Sequence, residues 1–198
     1  MKRMRIILYF TLAGIFLFPN VVFAHLASGR FGDFYAGSLH LLTAIEHLIP
    51  MLALGLLAGQ QGAKASRIMT VSIPIALITG TVLGIIISEL SFSIYVNSFS
   101  FLLVGGLIAL NKTLSSWLIF TMAAILGITH GYSNGIAVEP TLSAFNFTLG
   151  VAISGLVIVT ICAGLVISIN KEWQKIAVRV TGSWIAAIGL ISLPMLFK

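Results

Sequence analysis

The stretch His40-Leu41-Leu42-Thr43-Ala44-Ile45-Glu46-His47 sets two imidazoles and a carboxylate inside an apolar run that covers residues 34–57. A run of that length suits a helix crossing the ~30 Å hydrocarbon core of a bilayer. Ionisable side chains are costly in hydrocarbon, so those retained there tend to face a bundle interior, a water-filled path or a bound ion. Imidazole with carboxylate is also a donor set for transition metals.

Outward from this stretch the chain stays apolar. Hydrophobic residues make up 59% and charged residues 8%, and the mean hydropathy is +1.11, far outside the range of soluble domains. The composition implies an all-α, polytopic membrane protein. A net charge of +6 raises the possibility of nucleic acid, but the basic residues are scattered at the ends of apolar segments and form no stripe, so no nucleic-acid partner is expected. Cys162, the one cysteine, lies in an apolar run, which excludes an intrachain disulfide and a thiolate metal cluster.

Residues 1–24 read as a cleavable secretory signal, with Lys2, Arg3 and Arg5 first, an apolar stretch over 6–18, and Val22-Phe23-Ala24 before the cut. Residues 25–198 then form a single domain. Apolar runs of spanning length predict six transmembrane helices near 34–57, 68–87, 92–110, 114–132, 145–168 and 176–196. Little more than Asn111-Lys112-Thr113 separates the third from the fourth, which predicts a tight antiparallel hairpin.

Lys64, Arg67, Lys112, Lys171, Lys175 and Arg179 fall in alternate connections, and the others contain no Lys or Arg. By the positive-inside rule that set is cytoplasmic, which places both ends of the mature chain outside. On this map His25, Asp33, Glu89, Asn134 and Glu139 lie on the outer side. His40 and His130 fall in the outer parts of their spans, and Glu46 and His47 near mid-membrane. Such a distribution predicts inward passage of a cation.

On a straight helix His40 and His47 share one face, two turns and about 10.5 Å apart. Metal–nitrogen bonds are only about 2 Å long, so the pair is expected to form successive sites completed by other helices. Glu46 points about 100 degrees away from His47, toward a supporting role or another helix. A second constellation, His130-Gly131-Tyr132-Ser133-Asn134-Gly135 followed by Glu139-Pro140-Thr141, ends the fourth span. Gly127, Gly131 and Gly135 recur at four-residue intervals, as do Gly55 with Gly59 and Gly80 with Gly84, a spacing that lets membrane helices approach closely.

Plainer readings stand beside these. His130 near an interface can simply reach water, and Asn134 and Glu139 suit an ordinary loop. His25, Asp33 and Glu89 read as solvated surface, Met51 and Met122 as packing, and Thr43 as a hydroxyl bonding its own helix. His25 has one specific attraction: after cleavage its free amine and imidazole could together chelate a divalent ion.

Taken together these residues resemble the HupE/UreJ membrane proteins. The first-span signature of that family runs His-Pro-x-x-Gly-x-Asp-His, and His40, Glu46 and His47 occupy its His, acidic and final His positions. Leu41 and Ala44 replace the Pro and Gly, and Glu46 lengthens the acidic arm. The fourth-span pattern opens His-Gly-Tyr, matched by His130, Gly131 and Tyr132, while Ser133-Asn134-Gly135 stands where Ala-His-Gly is common. Glu139-Pro140-Thr141-Leu142 also fits. The resemblance implies a nickel or cobalt permease of a bacterial-type inner membrane, associated with hydrogenase or urease maturation.

The leading reading is thus a secondary permease that imports Ni2+ or Co2+ as substrate through His40, Glu46, His47, His130, Asn134, Glu139 and His25. No permanently bound cofactor is expected. The residues alone leave zinc and copper open. The alternative is a membrane accessory protein that holds metal for maturation proteins without carrying it across; a homo-oligomer is compatible with either. An enzyme is not expected, because no His-Glu-x-x-His zinc motif is present and no ATP-binding loop occurs.

Overall fold

The computed structural model describes residues 32–88 and 93–192, and every described element is helical. The helices are α1 (Asp33–Thr43), α2 (Ile45–Gln60), α3 (Ala63–Ile86), α4 (Ser93–Leu110), α5 (Ser116–Ile136), α6 (Ala144–Ile167) and α7 (Glu172–Ser192). The signal segment, His25 and Glu89 lie outside the described residues.

Among the described residues, α3, α6 and α7 are each long and apolar enough to cross a membrane, and α1 with α2 makes a fourth span if the bent pair counts as one. The other two expected spans are represented by α4, with its shorter apolar stretch Ser98–Leu110, and by α5, whose last turns carry His130, Tyr132, Ser133 and Asn134.

In hydrocarbon, burying apolar surface does not favour helix association, so packing depends on how closely backbones can approach. Glycine sets that approach here. On α3 and α5, a Cβ at Gly80 or Gly84 would run into the carbonyls of Ile128 or Tyr132, and one at Gly131 would lie 2.5 Å from the Leu77 carbonyl oxygen. The α4–α7 pair closes the same way, with Gly105 against Ala186 and Gly189 against Leu102. Gly55 and Gly59 seat α2 on α6 against Cys162 and Val166.

These seams overturn the expected hairpin. Although a short connection with Asn111 at φ 50 joins α4 to α5, the principal partner of α4 is α7 and that of α5 is α3. Glycine faces choose partners more strongly than adjacency in sequence does. The basic residues gather at one end: Gln61 Nε2 donates to the Lys112 carbonyl at 2.9 Å, and Arg179 Nε donates to the Ala109 carbonyl at 3.1 Å.

The first expected span is not one helix. Its halves meet at 76° at Ala44, whose extended dihedrals (φ −77, ψ 105) end α1 and begin α2. The Ala44 N–H donates to the His40 carbonyl, and its own carbonyl accepts from the N–H groups of His47 and Leu48. Register accounts for the break. α1 docks along the start of α6, where Asp33 Oδ2 accepts from Ser143 N at 2.9 Å and Ser38 Oγ donates to the Gly150 carbonyl, and Leu41 reaches Gly155. α2 docks further along, Gly55 against Val159. Seventeen residues separate Ser38 from Gly55, but only nine to twelve separate their partners on α6, Gly150 from Val159 and Cys162. A continuous helix cannot absorb that surplus.

Gly131→Val should therefore destabilise the protein by about 1–3 kcal/mol or more through overpacking. Gly106→Ala and Gly164→Ala, where a Cβ meets nothing within 4 Å, should not. Thermal unfolding of detergent-solubilised protein reads the difference, and equal melting of all three variants would refute the seam.

Candidate metal centre

The break at Ala44 decides the geometry of the site. In place of two imidazoles stacked two turns apart on a straight helix, the rings of His40 and His47 meet across the bend with centroids 5.6 Å apart. From the other side α5 brings His130 to 5.8 Å from His47, nearly perpendicular to it. Phe147 of α6 covers the His40 ring at 5.9 Å.

Two imidazoles that share one ion at ordinary metal–nitrogen lengths hold their centroids about 5 Å apart. Both ring pairs lie just beyond that spacing. Among the described residues no three His, Cys, Asp or Glu side chains are placed to hold one ion together. The arrangement is a chain of two adjacent pairs with His47 common to both.

Burial deepens along this chain. His40 is half-buried, His47 is 4% exposed and His130 is fully buried. His130 Nε2 lies 3.1 Å from Ser100 Oγ of α4. Neither His47 Nδ1 nor His130 Nδ1 has a hydrogen-bond partner among the described residues. An unmet polar atom in such a place costs about 1–3 kcal/mol, which a water or a cation would relieve. One turn beyond His130, Asn134 donates from Nδ2 to the His130 carbonyl at 2.7 Å, while its buried Oδ1 has no partner among the described residues. Thr81 Oγ1, at the level of Gly135, is another buried oxygen without a partner among them.

Asn134 therefore does not behave as a loop residue: α5 runs four residues past the expected boundary and carries Asn134 inside. Glu46 follows a different course. It is exposed at the start of α2, makes no hydrogen bond or ion pair with the described residues, and is not gathered with the histidines. Glu139 is half-buried in the α5–α6 connection. Asp33 is occupied in anchoring α1 to α6, Thr43 Oγ1 donates to the Leu39 carbonyl at 2.7 Å, and Met51 and Met122 belong to the apolar core. Sequence reading missed Ser100 and Phe147, which lie 30 and 107 positions from the histidines they touch. No local pattern marks either one.

Comparison with known proteins gives a family and a relative. Residues 13–192 match the family described as HupE / UreJ protein. The chain is 26% identical to Protein HupE of Rhizobium leguminosarum bv. viciae over 180 residues, covering 90% of this chain and 93% of that protein. No solved structure matches it.

The burial gradient has a chemical signature. Diethyl pyrocarbonate should modify His40 in the folded protein and reach His47 and His130 at least about tenfold more slowly, since those require local opening. Peptide mass spectrometry resolves the three sites, and equal rates would contradict the gradient.

Proposed function

Since this chain belongs to the HupE/UreJ family, we propose that it is a secondary permease that carries a divalent transition metal, nickel or cobalt, inward across a bacterial-type inner membrane. The observation that carries the reading is the run of ring contacts from His40 through His47 to His130, laid across a broken helix. Imidazole nitrogen suits nickel and cobalt, and the resemblance to the family narrows the choice to these two.

In this reading the bent α1–α2 pair is one span and α3 to α7 supply five more, with the basic end in the cytoplasm and both ends of the mature chain outside. Non-helical backbone at membrane depth is tolerated where protein buries it or a water-filled cavity meets it. The helix ends at Ala44 also leave α1 carbonyls without intrahelical partners, so the negative end of the α1 dipole faces the place a cation would occupy. Broken helices serve transport sites in the same way.

Glu46, exposed beside the break, is positioned to meet the ion before the histidines do. Glu139 adds a carboxylate beyond the end of α5, buried Asn134 offers an amide oxygen one turn beyond His130, and the amine and imidazole of His25 would add an outer capture site. The ion then exchanges water for imidazole in steps, first between His40 and His47 and then between His47 and His130. Ligand nitrogens must be deprotonated to bind, so uptake couples to proton release. Without an ATP-binding motif, the driving force is the membrane potential, worth about 2.3 kcal/mol per charge per 100 mV, or a proton gradient.

One observation favours the accessory alternative. Below His47 the core toward the basic end is filled by Met51, Leu54 and Leu57, all fully buried. A permease must repack this plug, whereas a protein that holds metal for maturation partners need not.

Uptake of Ni2+ and Co2+ into sealed vesicles containing the purified protein separates the two. Transport is expected to be driven by an inside-negative potential and to fall at least about tenfold in His47→Ala, in line with the loss of a direct ligand. Metal binding without flux under either gradient would replace the permease with the accessory protein.

A further inference from the structure

We propose that Ser100 is the positioning residue that decides which nitrogen of His130 is offered to the cation. This rests on the metal-binding reading above. Ser100 Oγ and His130 Nε2 lie 3.1 Å apart, and both residues are fully buried.

The two partners are carried by separately anchored elements. His130 stands on α5, locked to α3 through the glycine seam. Ser100 stands on α4, which is held by α7 and α2: Ser192 Oγ donates to Ser98 Oγ at 2.8 Å, and Gln60 Nε2 donates to the Ile108 carbonyl at 3.2 Å. The imidazole is thus gripped at its far nitrogen by a group that does not move with its own backbone.

A neutral imidazole has one N–H and one lone pair, and the partner of one nitrogen determines the state of the other. Nδ1 of His130 is buried and has no hydrogen-bond partner among the described residues. It can ligate only when the ring proton sits on Nε2, and Ser100 Oγ is the acceptor placed to hold that proton there. Metal-bound histidines commonly donate their second N–H to such a partner, and losing it typically weakens metal affinity 10–100-fold. Without the hydroxyl, the buried Nε2–H has no acceptor among the described residues, and the proton redistributes toward Nδ1, where it blocks ligation.

The experiment uses the full chain in detergent and titrates Co2+ by its visible absorption in wild type, Ser100→Ala, His130→Ala and the double variant. Ser98→Ala serves as the control, since its hydroxyl sits on the same helix and bonds Ser192. Nitrogen-15 spectra of the ring nitrogens in metal-free protein report the tautomer. Ser100→Ala is expected to weaken Co2+ binding about 10–100-fold and to shift the His130 proton away from Nε2. It should add nothing in the His130→Ala background, and Ser98→Ala should bind as wild type does. Unchanged affinity and tautomer in Ser100→Ala overturns the proposal, as does a loss that multiplies with that of His130→Ala or is matched by Ser98→Ala. If wild type binds no Co2+, the metal reading itself fails, and the ring spectra still decide whether Ser100 sets the tautomer.

Discussion

Two halves of one apolar segment dock on the same helix in registers that disagree. α1 follows the start of α6 around Gly150, and α2 resumes at Val159 with more residues than a continuous helix could use. The surplus is resolved at Ala44, where the backbone leaves helical geometry and the chain turns by 76°. The meeting of His40 with His47 follows from that turn, and so does the position of His47 facing His130.

What keeps the docking in place is the absence of side chains. At Gly37, Gly150, Gly55 and Gly59 the backbones of α1, α2 and α6 approach so closely that a Cβ would overlap a neighbour. Packing of this kind gives a membrane bundle its cohesion when hydrophobic burial cannot. It also has a consequence for function, because close-packed seams have few alternative arrangements. In the permease reading, the α1–α2 bend and the buried Met51, Leu54 and Leu57 beneath His47 are the places where a small repacking would open a path.

The histidine chain offers nitrogen donors in pairs, at spacings slightly wider than two ligands of one ion adopt. A fully formed three-histidine cage would bind tightly and release slowly. In the permease reading, adjacent pairs that share a member would let an ion pass by exchanging one ligand at a time. The exposed carboxylate of Glu46 stands apart from this chain.

Much of the architecture was legible in the sequence, because the cost of exposing polar backbone to lipid forces long apolar helices whose lengths can be counted. Apolar length predicted helices near 68–87, 145–168 and 176–196, and α3, α6 and α7 stand at 63–86, 144–167 and 172–192; the glycine spacing on α3 and α5 and the intervals of His40, His47 and His130 were equally plain in the sequence. The sequence by itself also determined that connections bearing Lys or Arg would alternate with connections that have neither, since charge placement is a local property. Tertiary structure alone decided that the first span breaks, that α4 seeks α7 and α5 seeks α3, that Asn134 turns inward, and that Ser100 meets His130. Each of these depends on which backbones can approach one another and in what register, and register is a relation between distant segments that no single stretch of residues contains.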